Sequence, residues 1–243
     1  AEIIEKALQI WEDEPEWHTF AAMMYQDAGN YSKAAEHLED ALRISPKSAH
    51  HWQLLGDVKL LEKDYHAAKD YFGKASDLFP ENPEALDSLA QINQQLGEHQ
   101  IAIQCWQKAA QLEPENPEYY VSIADSCLAK GDIDMATQVI SQALKKCPDH
   151  PKALLLKAEA EMAIDNPNLA RLTIQAAKTA VADPIPFDLL LIELDHRSNP
   201  HGTLTALQNL ADTHPENSLV LNQLADYQIE AREFEKAEKN LQY

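Results

Sequence analysis

The sequence predicts an all-α fold, an α-solenoid assembled from repeated pairs of short helices, and three observations carry that prediction. The first is a period of 34 residues: Ala34, Ala68, Ala102, Ala136 and Ala170 form one ladder, and Ala7, Ala41, Ala75, Ala109, Ala143 and Ala177 form a second. Prolines supply the next observation, with Pro46, Pro80, Pro114 and Pro148 in one ladder and Pro83, Pro117 and Pro151 in another. The third is helical spacing inside one unit: Trp52, Leu55 and Gly56 share a face of one helix, and Ala68, Phe72 and Ala75 a face of the next. Hairpins this short cannot bury their own apolar stripe, so each must lean on a neighbour of the same kind.

Small residues recur in the first helix as well, at Ala22, Gly56, Ala90, Ala124, Ala158 and Ala225. They let helices cross closely while large side chains such as Trp52, Phe72 and Trp106 fill the holes. Helix starts are marked by Ser48, Asn82 and Asn116 before first helices and by Asn30, Asp64 and Asp132 before second ones, with proline often at the first helical position.

In chain order, residues 1–14 read as the second helix of a truncated repeat. Six complete repeats follow at 15–48, 49–82, 83–116, 117–150, 151–183 and 184–217, and 218–243 is a partial seventh. The ends have the look of a piece cut from a longer array. His18 stands where the first repeat would carry tryptophan and is expected to pack. The fifth repeat is one residue short and has Asn166-Pro167 in place of the turn glycine. Its Lys157 and Glu161 occupy positions filled elsewhere by Leu55 and Leu89, or by Tyr25 and Cys127. Two readings follow: a polar site within the stack, or a local slip that turns Lys157 outward and lets Leu155, Ala158 and Met162 pack. The sixth repeat has Thr203 and Leu210 where alanine is usual and an irregular turn from Arg197 to Gly202, so a bend or flexibility is expected across repeats five and six.

These residues resemble the tetratricopeptide repeat, whose 34-residue unit carries W-x2-L-G, a turn glycine, alanine, an aromatic, alanine and proline. The best copy supplies Trp52, Leu55, Gly56, Ala68, Phe72, Ala75 and Pro80, and Gly29, Gly97 and Gly131 occupy the turn in others. The resemblance implies a right-handed superhelix of antiparallel helix pairs whose first helices line a concave groove for a peptide or protein surface.

Composition excludes several classes. Forty acidic against 20 basic side chains, a net charge of −20, disfavour nucleic acid and anionic membranes as partners. No apolar run approaches membrane length. Cys105, Cys127 and Cys147 show no C-x-x-C and read as structural thiols, which favours a reducing, cytoplasmic location over a periplasmic or secreted one. No H-E-x-x-H, G-x-S-x-G, phosphate loop or dinucleotide fingerprint is present, and adjacent His50 and His51 diverge on a helix, so neither an enzyme, a metal nor a cofactor is expected.

Family geometry places the groove lining at five positions of each unit, and there Glu16, Asp27, Asp57, Glu84, Asp87, Glu118, Asp125, Glu159, Asp188, Asp195, Asp226 and Glu230 face a single clear cation, Lys152. The peptide-binding residues expected on this basis are Gln53, Asp57, Asp87, Gln91, Val121, Asp125, Leu155 and Glu159, and the partner is a protein or peptide with a basic or mixed polar segment. The basic carboxylate clamp of chaperone-binding members and the asparagine ladder of glycosyltransferase-linked members are both missing. Two alternatives stay open: a regulatory or targeting arm of an enzyme whose catalytic domain lies outside this stretch, and a self-associating array joined through apolar residues at its ends, Ile3, Ile4, Phe234 and Leu241.

Overall fold

The computed structural model describes residues 13–196 and 200–241. The reading of residues 1–12, including Ile3, Ile4 and Ala7, and of the turn residues Arg197 to Asn199 lies outside that range. Among the described residues there are fourteen α-helices and no strand. The chain divides into two compact units, Ala1–Asp132 and Ile133–Tyr243.

The first unit contains α1 (Pro15–Asp27), α2 (Tyr31–Ile44), α3 (Ala49–Leu61), α4 (Tyr65–Leu78), α5 (Pro83–Gln95), α6 (His99–Leu112) and α7 (Pro117–Ala129), each packed on the next. The second holds α8 (Ile133–Lys146), α9 (Pro151–Ala163), α10 (Pro167–Ala180), α11 (Ile185–His196), α12 (Pro200–Thr213), α13 (Ser218–Glu230) and α14 (Phe234–Leu241), again packed in succession. Helices begin where the sequence offers a side-chain oxygen to the free amides of a first turn. Asn30, Ser48, Asp64, Asn82 and Asn116 each accept such a bond, as do Asn166 and Asn217.

Each described turn inside a hairpin has one residue in the left-handed region. Gly29, Gly97 and Gly131 sit there with φ of 72°, 75° and 78°, and Lys63, Asp165 and Arg232 hold the same conformation at 62°, 57° and 62°. In the fifth repeat, then, Asp165 takes the glycine's place. Asn166 caps α10 and Pro167 opens it.

The alanine ladders are the crossing points. Ala34, Ala68, Ala102, Ala136 and Ala170 are fully buried, and so are Ala41, Ala75, Ala109 and Ala143. A methyl group built on Gly56 would lie 2.6 Å from Cε1 of Phe72, so glycine there admits the ring. Trp106, Phe72 and Phe187 are the largest fully buried side chains.

Trp52 is a correction to the sequence reading. It is half-buried, stacks on Tyr71 with ring centroids 5.7 Å apart, and donates from Nε1 to the carbonyl of Pro46 at 3.1 Å. Its indole needs an acceptor, and the loop before its helix offers one. The Tyr120 hydroxyl makes the equivalent bond to the carbonyl of Pro114 at 3.1 Å. His18 is buried as expected, and Cys105 and Cys127 are buried thiols whose pKa burial pushes up.

Two substitutions test the packing. Ala102→Leu is expected to destabilise by about 1–3 kcal/mol through overpacking. Trp106→Ala is expected to cost about 3–5 kcal/mol through the cavity left behind. Thermal melts followed by circular dichroism measure both, and unchanged midpoints contradict the assignment of these positions to the core.

Candidate functional site

Carboxylates on successive first helices of the first unit meet different surroundings. Asp87 on α5 is occupied: one oxygen accepts from Nε1 of Trp106 at 2.6 Å and the other from Nε2 of Gln91 at 2.9 Å. Asp125 on α7 accepts from Nε2 of Gln94 at 3.1 Å. Asp57 on α3 makes no hydrogen bond or ion pair among the described residues, and burial pushes its pKa up to about 6.

Asp57 lines a cavity of about 630 Å³ together with Gln91, Ser88 and Ser122 from the neighbouring first helices. The sequence reading missed the other walls. Phe72 and Trp106 reach in from second helices, Leu60 and Leu61 from the last turn of α3, Lys63 from the turn after it and Tyr65 from the start of α4. Leu60 and Leu61 continue a helix end into solvent, 37% and 46% exposed, which is a signal that helix-face arithmetic does not register.

The remaining expected residues are distributed as follows. Gln53 is half-buried outside this cavity, and Val121, at 5% exposure, belongs to the packed core rather than to an open wall. Leu155 and Glu159 lie on α9 of the second unit, where Leu155 packs against the cluster of Ala158, Ile174 and Phe187 and Glu159 is exposed. Also in that unit, Asp188 and Asp195 are ion-paired with Lys178 and Arg171.

One donor set suited to a metal lies elsewhere. His18 on α1 and His37 and Asp40 on α2 each bring a ligand atom within 4.8 Å of the others. His18 Nδ1 is 3.7 Å from Oδ2 of Asp40, whose Oδ1 accepts from Arg43 at 2.5 Å. Nitrogen and carboxylate donors of this kind suit zinc. Finding the trio requires the register of the hairpin, because His18 is distant in sequence. His50 and His51 do not converge, having rings 5.9 Å apart; instead Nε2 of His51 is 3.0 Å from Oγ1 of Thr19, and burial, then His50, lower the His51 pKa.

Two family models, both described as tetratricopeptide repeat, match residues 21–83 and 83–116. Residues 21–116 belong to the tetratricopeptide-repeat family. Superkiller complex protein 3 of Homo sapiens is 37% identical over 81 residues, 33% of this chain, and the matched stretch spans 5% of the human protein's length. A tetratricopeptide repeat protein from Parabacteroides merdae superposes with a TM-score of 0.77 at 17% identity, covering 94% of this chain and 91% of that one. YrrB, described as a TPR protein with an unusual peptide-binding site, gives 0.64 at 19% identity over 76% and 95%.

Within the tetratricopeptide pattern the fifth repeat is the odd member, and each of the two readings of it holds for one residue. Lys157 is turned outward and exposed, while Ala158 and Met162 pack. Glu161 is turned inward and is 8% exposed.

Asp57 gives this site a pH signature. Its folded pKa is raised, so the ionised form is penalised by folding; the penalty builds from its ordinary 3.8 to about 6 and is complete above that. Asp57→Asn, alike in shape but uncharged, is expected to stabilise the protein by roughly 1 kcal/mol near neutral pH once solvent screening is discounted. The gain should shrink as the pH is lowered through 6 toward 3.8. Urea titrations at several pH values measure it, and a variant less stable than the parent at neutral pH contradicts the account.

Proposed function

We propose that this protein is a non-catalytic interaction scaffold whose first unit binds a basic or mixed polar segment of a protein partner along its first helices. The observation that carries the reading is Asp57, a carboxylate with no partner among the described residues, held in a cavity whose walls include Phe72 and Trp106. Such a group gains from an incoming ammonium or guanidinium twice, through attraction and through relief of its desolvation. A net charge of −20 adds a field that draws cationic segments in. Asp87 and Asp125 extend the line, with Gln53 and Gln91 as hydrogen-bonding neighbours. Leu155 and Glu159 supply a corresponding strip on the second unit.

Exposed ion pairs contribute only about 0.2–1 kcal/mol each, so affinity requires several along an extended ligand. A place within a larger assembly is consistent with this reading, since the human relative matched above is named as part of a complex. Self-association is the second reading, favoured by Phe234 and Leu241, which are 61% and 53% exposed. Sedimentation at rising protein concentration separates the two, because a scaffold for another protein keeps a constant mass.

The direct test changes Asp57, Asp87 and Asp125 to Asn and compares a basic with an acidic peptide across a salt series. The parent is expected to prefer the basic peptide, with affinity falling as salt rises, and the triple variant to lose most of that preference. A variant that binds the basic peptide as tightly as the parent, or a parent that prefers the acidic one, sinks the proposal.

A further inference from the structure

A second feature of the chain asks for a partner of different chemistry. Glu161 on α9 is 8% exposed, its Oε2 is shielded from solvent, and no donor among the described residues reaches that atom. Lys157, one turn earlier on the same helix, could close over it but is exposed and forms no ion pair with it. A buried carboxylate without a donor is costly, and folding alone gives this one nothing in return.

Beside Glu161, between α8, α9 and the start of α10, opens a cavity of about 400 Å³. Its walls are mainly hydrocarbon, from Ile140, Leu144, Ile164 and Leu169, and the exposed Lys145 and Lys157 also line it. Ile164 and Leu169 are 59% and 41% exposed, and Leu172, along α10, is 63% exposed. Bulky aliphatic side chains grouped in this way mark a surface that another molecule covers.

We infer that this cavity receives a single arginine or lysine of a protein partner, flanked by acidic residues. The cationic head bonds Glu161, the hydrocarbon stem lies along Ile140, Leu144, Ile164 and Leu169, and the flanking acids meet Lys145 and Lys157. Charge order sets this apart from the first unit. There one lysine, Lys63, stands against a line of carboxylates and a run of cations is favoured, whereas here two lysines face one carboxylate, repel such a run and select one cation between acids. The inference rests on the reading of the protein as an interaction scaffold, but it concerns separate residues in a separate unit.

The test uses the full chain and fluorescence anisotropy. The probe is a labelled peptide with one arginine between leucines and glutamates at both ends, alongside a twin with citrulline for arginine. The citrulline twin is expected to bind at least about tenfold more weakly, since a charge-assisted hydrogen bond is lost. Glu161→Gln should weaken the arginine peptide by a similar factor without further weakening the twin, the signature of two groups acting on each other. Lys145→Glu, a change on an exposed side chain that leaves the fold intact, should also weaken the arginine peptide. The Asp57, Asp87 and Asp125 triple variant should bind it as the parent does. No measurable binding, equal binding of the two peptides, or indifference to Glu161→Gln overturns the inference. Loss of binding in the triple variant alone also overturns it, and leaves the first-unit proposal standing.

Discussion

Two helices of 13 and 14 residues bury too little surface to hold each other, so every hairpin of this chain depends on how closely the next can approach. That approach is set by side-chain size where helices cross. Alanine at positions 34, 68, 102, 136 and 170, all fully buried, keeps the backbones near. Phe72 and Trp106 then fill the space between at interior density. Gly56 shows how tight the arrangement is, since even a methyl group there meets the Phe72 ring. Stability in such an array is a sum of neighbour contacts, and no single centre stands in for them.

The same close packing decides how each acidic group is placed to contribute to binding. Charge count alone suggests a uniformly acidic surface, but the carboxylates are not equivalent. Asp87 is held by an indole and an amide, and Asp188 and Asp195 by basic side chains of the preceding helix. Asp57 and Glu161 differ from these, since each is half-buried or more and lies beside hydrocarbon walls, and no donor among the described residues reaches Asp57 or the shielded Oε2 of Glu161. A desolvated carboxylate in apolar surroundings is a poor contributor to folding and a good contributor to recognition.

Much of the fold was legible because the repeat states its rules several times over. Helix starts follow from Asn, Ser and Asp at the caps, and buried positions follow from the alanine ladders. Where the reading missed, the cause was local. Trp52 occupies a core position of the pattern, yet its indole nitrogen requires an acceptor and draws the ring toward the Pro46 carbonyl. Asp165, not Asn166, takes the left-handed turn, because the capping role already claims the asparagine. The site was less legible than the fold. Asp57 and Gln91 are on a predicted face, but Phe72, Trp106 and Tyr65 approach from other helices, and only packing reveals that they share a cavity. Likewise Val121 has the right position and the wrong depth.

The bonds from Trp52 to Pro46 and from Tyr120 to Pro114 bear on how such a chain accommodates insertions and deletions. Each ties a helix to a carbonyl six residues upstream, so the connecting loop is held to one length. At the corresponding place in the first turn of α11 stands Phe187, which has no donor to offer. There the chain is one residue shorter and lacks the proline. A hydrocarbon side chain does not by itself shorten a junction, since Leu86 and Leu154 lead junctions of full length; what tryptophan or tyrosine adds is a bond that a change of length would break.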